Sequence, residues 1–237
     1  TKIHQMGEHA YAFAKKTFSL DHINKKVENY LINGFDERVS ALITTHNEEK
    51  NIEKCIRSVP WADEILVIDS FSSDNTVSIC EKLGVNVLQR KYNYAADQKN
   101  WAIPQATHPW IVLLDADEIV GSGLEEEVRN ILKTRPKFTA YWIYRKNYFL
   151  GKEVRFCGWQ NDRVVRFFHR DSHRYQDKMV HEEITASSPF GTLKSKITHH
   201  TTTNLESYTQ KIERYAHYAA QEFIRKDKRI TAFDLYV

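Results

Sequence analysis

A chain of 237 residues with 41% hydrophobic side chains can bury a sizeable core, as one large domain or one domain with an appendage, and is not globally disordered. A formal charge of +3, from 34 basic and 31 acidic residues, is too small to point to nucleic acid. Cys55, Cys80 and Cys157 are far apart and odd in number, which favours a reducing cytoplasm over a disulfide framework or zinc site.

No run of about 18 apolar residues and no signal-peptide core is found, so the sequence is expected neither to span nor to cross a membrane by itself. Over residues 1–36, Ala10, Phe13, Phe18, Ile23, Val27, Tyr30 and Leu31 recur loosely by threes and fours among lysines before Asn33 and Gly34. That spacing predicts an N-terminal helical arm, packed on the main domain, a dimer partner or a membrane.

The main domain is predicted over residues 37–204. Val39 to Thr44 reads as a strand, Asn51 to Ser58 as a helix that Asn47 or a neighbour can cap, and Glu64 to Asp69 as a second strand. A turn from Ser70 to Thr76 feeds a helix to Lys82; Val85 to Gln89 is a third strand and Ala95 to Ala106 a third helix. Ile111 to Leu114, within Trp110 to Leu114, has the look of a strand buried on both faces, and it runs straight into Asp115 and Asp117. Four strand–helix alternations with short connections predict an α/β fold with a parallel sheet and right-handed crossovers.

In such a sheet the carboxyl ends of the strands open onto the ligand crevice, so Glu48, Asp69, Asp115 and Asp117 line one edge. Two carboxylates one residue apart resist joint ionisation unless a cation lies beside them, and hard oxygen ligands point to Mg2+ or Mn2+ with a nucleotide diphosphate. Read alone, the pair fits two solvated loop acids equally well.

Three motifs change that balance: Ile43-Thr-Thr-His-Asn-Glu-Glu, Val67-Ile-Asp-Ser-Phe-Ser-Ser-Asp-Asn-Thr and Leu113-Leu-Asp-Ala-Asp-Glu. In order and spacing they resemble the family 2 glycosyltransferases. The resemblance runs from about Ser40 to Arg225 and is nearest the branch of lipopolysaccharide inner-core β-1,4-glucosyltransferases. Further along, that branch shows elements similar to Trp159, Asp162, Arg163 and Arg166, then Val180, His181 and Glu182, then His200 and Thr201. The resemblance implies a GT-A (Rossmann-like) fold with a mixed, mostly parallel sheet, a donor half over 37–120 and an acceptor half over 121–204. It also implies inverting transfer of a hexose, glucose in that branch, from a UDP-sugar to a saccharide or glycolipid acceptor.

By the same resemblance Asp117 is the first metal ligand, Asp115 bridges metal and ribose, and His200, with His199 as rival, completes the shell around Mn2+ or Mg2+. Glu48 and Asp69 match residues that hold base and ribose, beside Thr44 and Thr45. Gln98 and Lys99 fill the slot of an Ala-Arg-Asn element near the donor; lysine there is a point charge without arginine's planar fork. Glu182 is the implied base, Glu183 its alternate, and His181 an orienting neighbour. Trp159 suits stacking on a sugar ring, and Asp162 with Arg163 an acceptor contact or a core ion pair. Arg163 and Arg166 stand at odd spacing on a strand predicted from Arg163 to Phe168, so they point to opposite faces.

Leu205, Tyr208, Ile212, Tyr215, Ala219 and Phe223 give a C-terminal amphipathic helix within residues 205–237. The basic cluster Arg225, Lys226, Lys228 and Arg229 beside Phe233, Leu235 and Tyr236 suits either the helix dipole or a peripheral contact with an anionic inner membrane. Two other classes share part of the pattern: a haloacid dehalogenase-like phosphatase, whose D-x-D belongs on the first strand and not the fourth, and a non-catalytic sugar-binding relative.

Overall fold

The computed structural model describes residues 37–180, 182–184, 189–202 and 204–225. The predicted arm over 1–36, His181 and the basic cluster after Arg225 lie outside the described residues. The chain divides into two units between Asp36 and Glu37, and the second contains every described residue.

The parallel half is built as the apolar runs require. Strands β1 (Val39–Thr45), β2 (Glu64–Asp69), β3 (Asn86–Gln89) and β4 (Trp110–Asp115) alternate with helices α1 (Ile52–Arg57), α2 (Thr76–Lys82) and α3 (Ala95–Ala102). Ile111, Val112, Leu113 and Leu114 are all fully buried, as a strand covered on both faces demands. Leu42, Leu66, Ile68, Ile111 and Leu113 share one cluster with Ala96, Ala102 and Ile103, so α3 covers that face. Emptying one such site, as in Leu113→Ala, costs about 3 kcal/mol in lost transfer energy and cavity. The third helix was expected to reach Ala106. It stops at Ala102 because Pro104 supplies no N–H to the ladder, and Ile103–Gln105 tightens into a 3-10 turn.

Beyond Asp115 the chain makes β5 (Glu118–Val120), α4 (Leu124–Lys133), β6 (Ala140–Phe149), β7 (Lys152–Glu153), β8 (Arg163–His169), β9 (Gly191–Thr202) and α5 (Leu205–Arg225). Among the described residues the strands form one nine-stranded sheet, ordered β3-β2-β1-β4-β8-β6-β9-β5 with β7 on β6. Pairing is parallel from β3 to β4 and between β6 and β9, and antiparallel elsewhere. α4 buries Leu124, Val128 and Leu132 and grips β9 through Glu127, whose carboxylate accepts from the Lys194 and Ser195 amides at 2.7 Å. Gly121 sits where a Cβ would come within 2.5 Å of the Lys196 carbonyl oxygen, so the chain passes β9 there only without a side chain.

Two registers place the site. Thr45 lies beside Asp69 and Thr44 beside Asp115, which brings the ends of three strands level. The antiparallel β8 then runs back alongside β4, delivering Arg166 to the same edge.

Candidate active site

The donor-side edge is tied together by short polar contacts. Thr44 Oγ1 donates to Asp115 Oδ1 at 2.9 Å, and buried Asp69 accepts from the Ser72 amide and Gln89 Nε2, both at 3.0 Å. Asn47 or a neighbour was expected to cap α1, and Asn47 does not. It instead adopts a φ of 55° and accepts from the Ser73 amide at 2.8 Å, linking the loop after β1 to the loop after β2. Phe71, in that second loop, also has a positive φ of 57° and is exposed, so the two loops facing the crevice both hold strained backbone. Glu48 is half-buried, and burial is the main reason its carboxyl pKa rises; Asn51 opposes the rise while Asp117 and Asp74 add to it. Thr45 Oγ1 and Gln98 Oε1 are buried without a protein partner, two polar atoms beside Asp69 and Ser70 that a nucleotide can satisfy.

The two aspartates of the D-x-D do not share one environment. Asp115 is held by the guanidinium of Arg166, by Lys99 Nζ at 3.2 Å and by Thr44. Burial would raise its pKa, and Arg166 and Lys99 outweigh that and keep the carboxyl well below the usual carboxylate range. The cations beside Asp115 are thus Lys99 and Arg166 of the protein itself. Its expected part in a metal shell must compete with those partners.

Asp117 faces elsewhere. Its Oδ2 lies 3.4 Å from His199 Nε2. His199 and His200, the rival candidates for the metal shell, both stand on β9 and so face opposite ways. His200 stacks on Tyr148, ring centroids 5.2 Å apart, and only its backbone amide meets Asp117, through the carbonyl oxygen at 3.0 Å. The geometry favours His199 over His200 beside Asp117. No cluster of three or more His, Cys, Asp or Glu side chains is arranged for a metal among the described residues. A carboxylate and an imidazole nitrogen suit a divalent ion completed by diphosphate oxygens and water, so the residues fit Mn2+ or Mg2+ as a shared rather than a caged ion.

Glu182 comes to this edge from the far side. The segment before it is pinned to α3, where Asn100 exchanges hydrogen bonds with the Tyr175 backbone at 2.8 and 2.9 Å. Glu182 Oε1 accepts from Lys99 Nζ at 2.7 Å, and the same ammonium reaches Asp115. Lys99 is 3% exposed; burial would depress its pKa, but Asp115 and Glu182 more than offset this and raise it. Burial likewise works against ionised Glu182, and Lys99 overcomes it and lowers the carboxyl pKa. Glu183 is exposed, with its carbonyl oxygen accepting from the Gln176 amide at 2.8 Å.

Of the two readings of Asp162 with Arg163, the core ion pair between them does not form. Asp162 is taken by Arg145, at 2.9 and 3.0 Å, and by Asn147 at 2.7 Å, while Arg163 stacks over the Trp142 ring at 4.8 Å. Trp159 is partly exposed on a 3-10 turn near the exposed Phe156. Sequence reasoning missed Glu118, Arg145 and Asn147. Glu118 is fully buried, accepts from Arg166 at 2.8 Å and Arg145 at 3.5 Å, and takes the Asp115 amide at 3.1 Å. The available signal was an acid in an otherwise apolar triplet, Glu118-Ile-Val, which marks a buried partnered charge.

A profile described as Glycosyl transferase family 2 matches residues 40–196, most of the chain. The chain belongs to the family 2 glycosyltransferases. This glycosyltransferase is 25% identical over 211 residues to an uncharacterised glycosyltransferase of Rickettsia conorii, covering 84% of this chain and 75% of the relative. It is 25% identical over 198 residues to the lipopolysaccharide core biosynthesis glycosyltransferase LpsC of Rhizobium meliloti, covering 81% and 73% respectively. Among solved structures, S. aureus TarS 1–349 in complex with UDP is 23% identical with a TM-score of 0.43, over 49% of this chain and 38% of that one. The glycosyltransferase has the mixed α/β sheet of the GT-A class, and its D-x-D stands at the end of the fourth strand, not the first as in a dehalogenase-like phosphatase.

Proposed function

We propose that this glycosyltransferase moves a hexose, glucose by its resemblance, from a UDP-sugar to a saccharide acceptor with inversion, in a reaction that needs Mn2+ or Mg2+. The observation that carries the reading is the Lys99 bridge, which joins the D-x-D acid Asp115 at the end of β4 to Glu182, far along the chain. Glu182 is held ionised and is suited to take the proton of the acceptor hydroxyl as the new bond forms. Asp117 with His199 would hold the divalent ion, which when bound stabilises negative charge on the departing diphosphate. Asp69, Glu48, Thr45 and Gln98 are suited to base and ribose, and Lys99 and Arg166 offset the charge of Asp115 beside the place a diphosphate would take.

A lipopolysaccharide core or other lipid-linked glycan is the acceptor class that the LpsC likeness supports. Among the described residues no helix is long and apolar enough to cross a membrane, while α5 exposes Leu205, Tyr208, Ile212 and Tyr215. That surface suits a peripheral place at the cytoplasmic face of the inner membrane, with Trp159 offered to an acceptor sugar. A capsule, protein or peptide acceptor is the competing choice within the family.

The experiment is a screen of UDP-, GDP- and TDP-sugars with Mn2+ or Mg2+, following slow donor hydrolysis in the absence of acceptor. Hydrolysis of UDP-glucose above the other donors supports the reading, and no turnover of any donor with metal present contradicts it.

A further inference from the structure

We propose that Asn147 is a positioning residue that fixes the His199 imidazole with its proton on Nδ1, leaving the Nε2 lone pair turned to Asp117. The inference deepens the metal reading above and rests on it for its purpose, but not for its geometry.

The assignment follows from donors and acceptors alone. Arg145 is protonated at any working pH and offers Nε and a terminal nitrogen to the two oxygens of Asp162, at 2.9 and 3.0 Å. Asp162, ionised by that fork, can only accept. The atom of Asn147 that lies 2.7 Å from Asp162 Oδ2 is therefore its amide nitrogen. The amide oxygen then faces the other way, 2.7 Å from His199 Nδ1, and an amide oxygen cannot donate. Nδ1 must carry the proton. In the neutral ring Nε2 is bare, 3.4 Å from an Asp117 oxygen that is also an acceptor.

Two acceptors held face to face ask for a cation between or beside them. The arrangement is built in: Asn147 lies beside His199 in the β6–β9 register and is 2% exposed, so water does not substitute for it. Outer partners that set a histidine's tautomer commonly change metal affinity tenfold or more.

The test uses protein labelled with 15N-histidine and no metal, with His199 assigned by a His199→Gln variant. Long-range 1H–15N spectra of the neutral ring are expected to show the Nδ1–H form. Asn147→Leu is expected to lose that preference and to weaken Mn2+ binding, read by electron paramagnetic resonance, by about tenfold to a hundredfold. The exchanged pair, Asn147→Asp with Asp162→Asn, keeps an acceptor at Nδ1 and is expected to restore both. An Nε2–H ring in the unaltered protein overturns the inference, as does Asn147→Leu with tautomer and Mn2+ affinity unchanged. If Asn147→Leu does not fold, the unaltered protein and the exchanged pair decide the matter. The Nδ1–H form in a protein that binds no Mn2+ supports the relay and overturns the metal reading alone.

Discussion

The ammonium of Lys99 lies 2.7 Å from Glu182 Oε1 and 3.2 Å from Asp115 Oδ1, buried between the two carboxylates. Burial alone would make Glu182 harder to ionise, and Lys99 reverses that. Removing the ammonium in Lys99→Met should therefore raise the Glu182 pKa. A base acts only when ionised, so the acidic limb of the kcat/KM profile should move to higher pH, with kcat lowered across the range. A pH profile of the variant checks the direction.

Glu182→Gln keeps the shape and a hydrogen-bonding oxygen but cannot take a proton. Transfer should fall by about 10²- to 10⁴-fold while UDP-sugar affinity, measured by calorimetry, stays within a few-fold. Glu183→Gln, at an exposed position, should leave transfer nearly unchanged. Equal losses in the two variants would remove Glu182 from its role.

Glu118 is the counter-charge beneath the site, fully buried between Arg166 and Arg145. Glu118→Ala strips a carboxylate from a 3% exposed guanidinium and should cost about 3–5 kcal/mol in urea unfolding. Because Glu118 also receives the Asp115 amide, donor affinity should fall in whatever fraction remains folded.

Glu127 gives a pH signature away from the crevice. Burial would raise its carboxyl pKa, but the Ser195 hydroxyl and the Lys194 and Ser195 amides outweigh that and lower it. A depressed folded pKa contributes stability above the ordinary Glu range, about pH 4.3, that is lost as pH falls through the folded value. At pH 7, Glu127→Gln should cost about 1.5 kcal/mol, and its deficit against the unaltered protein should shrink as melting is followed down to pH 3.

The parallel half was legible because its signals are local. Apolar runs ending in Asp69 and Asp115, each followed by a turn and a helix, set strand, direction and edge together. The second half was read less well because its elements are held by partners distant in sequence. β6 carries Arg145, Lys146 and Asn147 in its middle, which reads as polar surface until β8 and β9 close over it. The choice between His199 and His200 depends on β9 being a strand, since one step along a strand reverses the face. Asp162 was singled out, but as an ion pair its partner is not the neighbouring Arg163: the contact comes from Arg145 on β6, which no spacing along the chain reports.

The central claim is that Asp117 holds a cation against the leaving diphosphate. The direct measurement is the Mn2+ dependence of UDP-sugar transfer in the unaltered protein and in Asp117→Asn, with Mn2+ binding read alongside by electron paramagnetic resonance. The account predicts saturable metal activation and binding in the first, and loss of both in the second with the fold intact. Normal transfer by Asp117→Asn, or transfer in the unaltered protein that is indifferent to chelation, would contradict it.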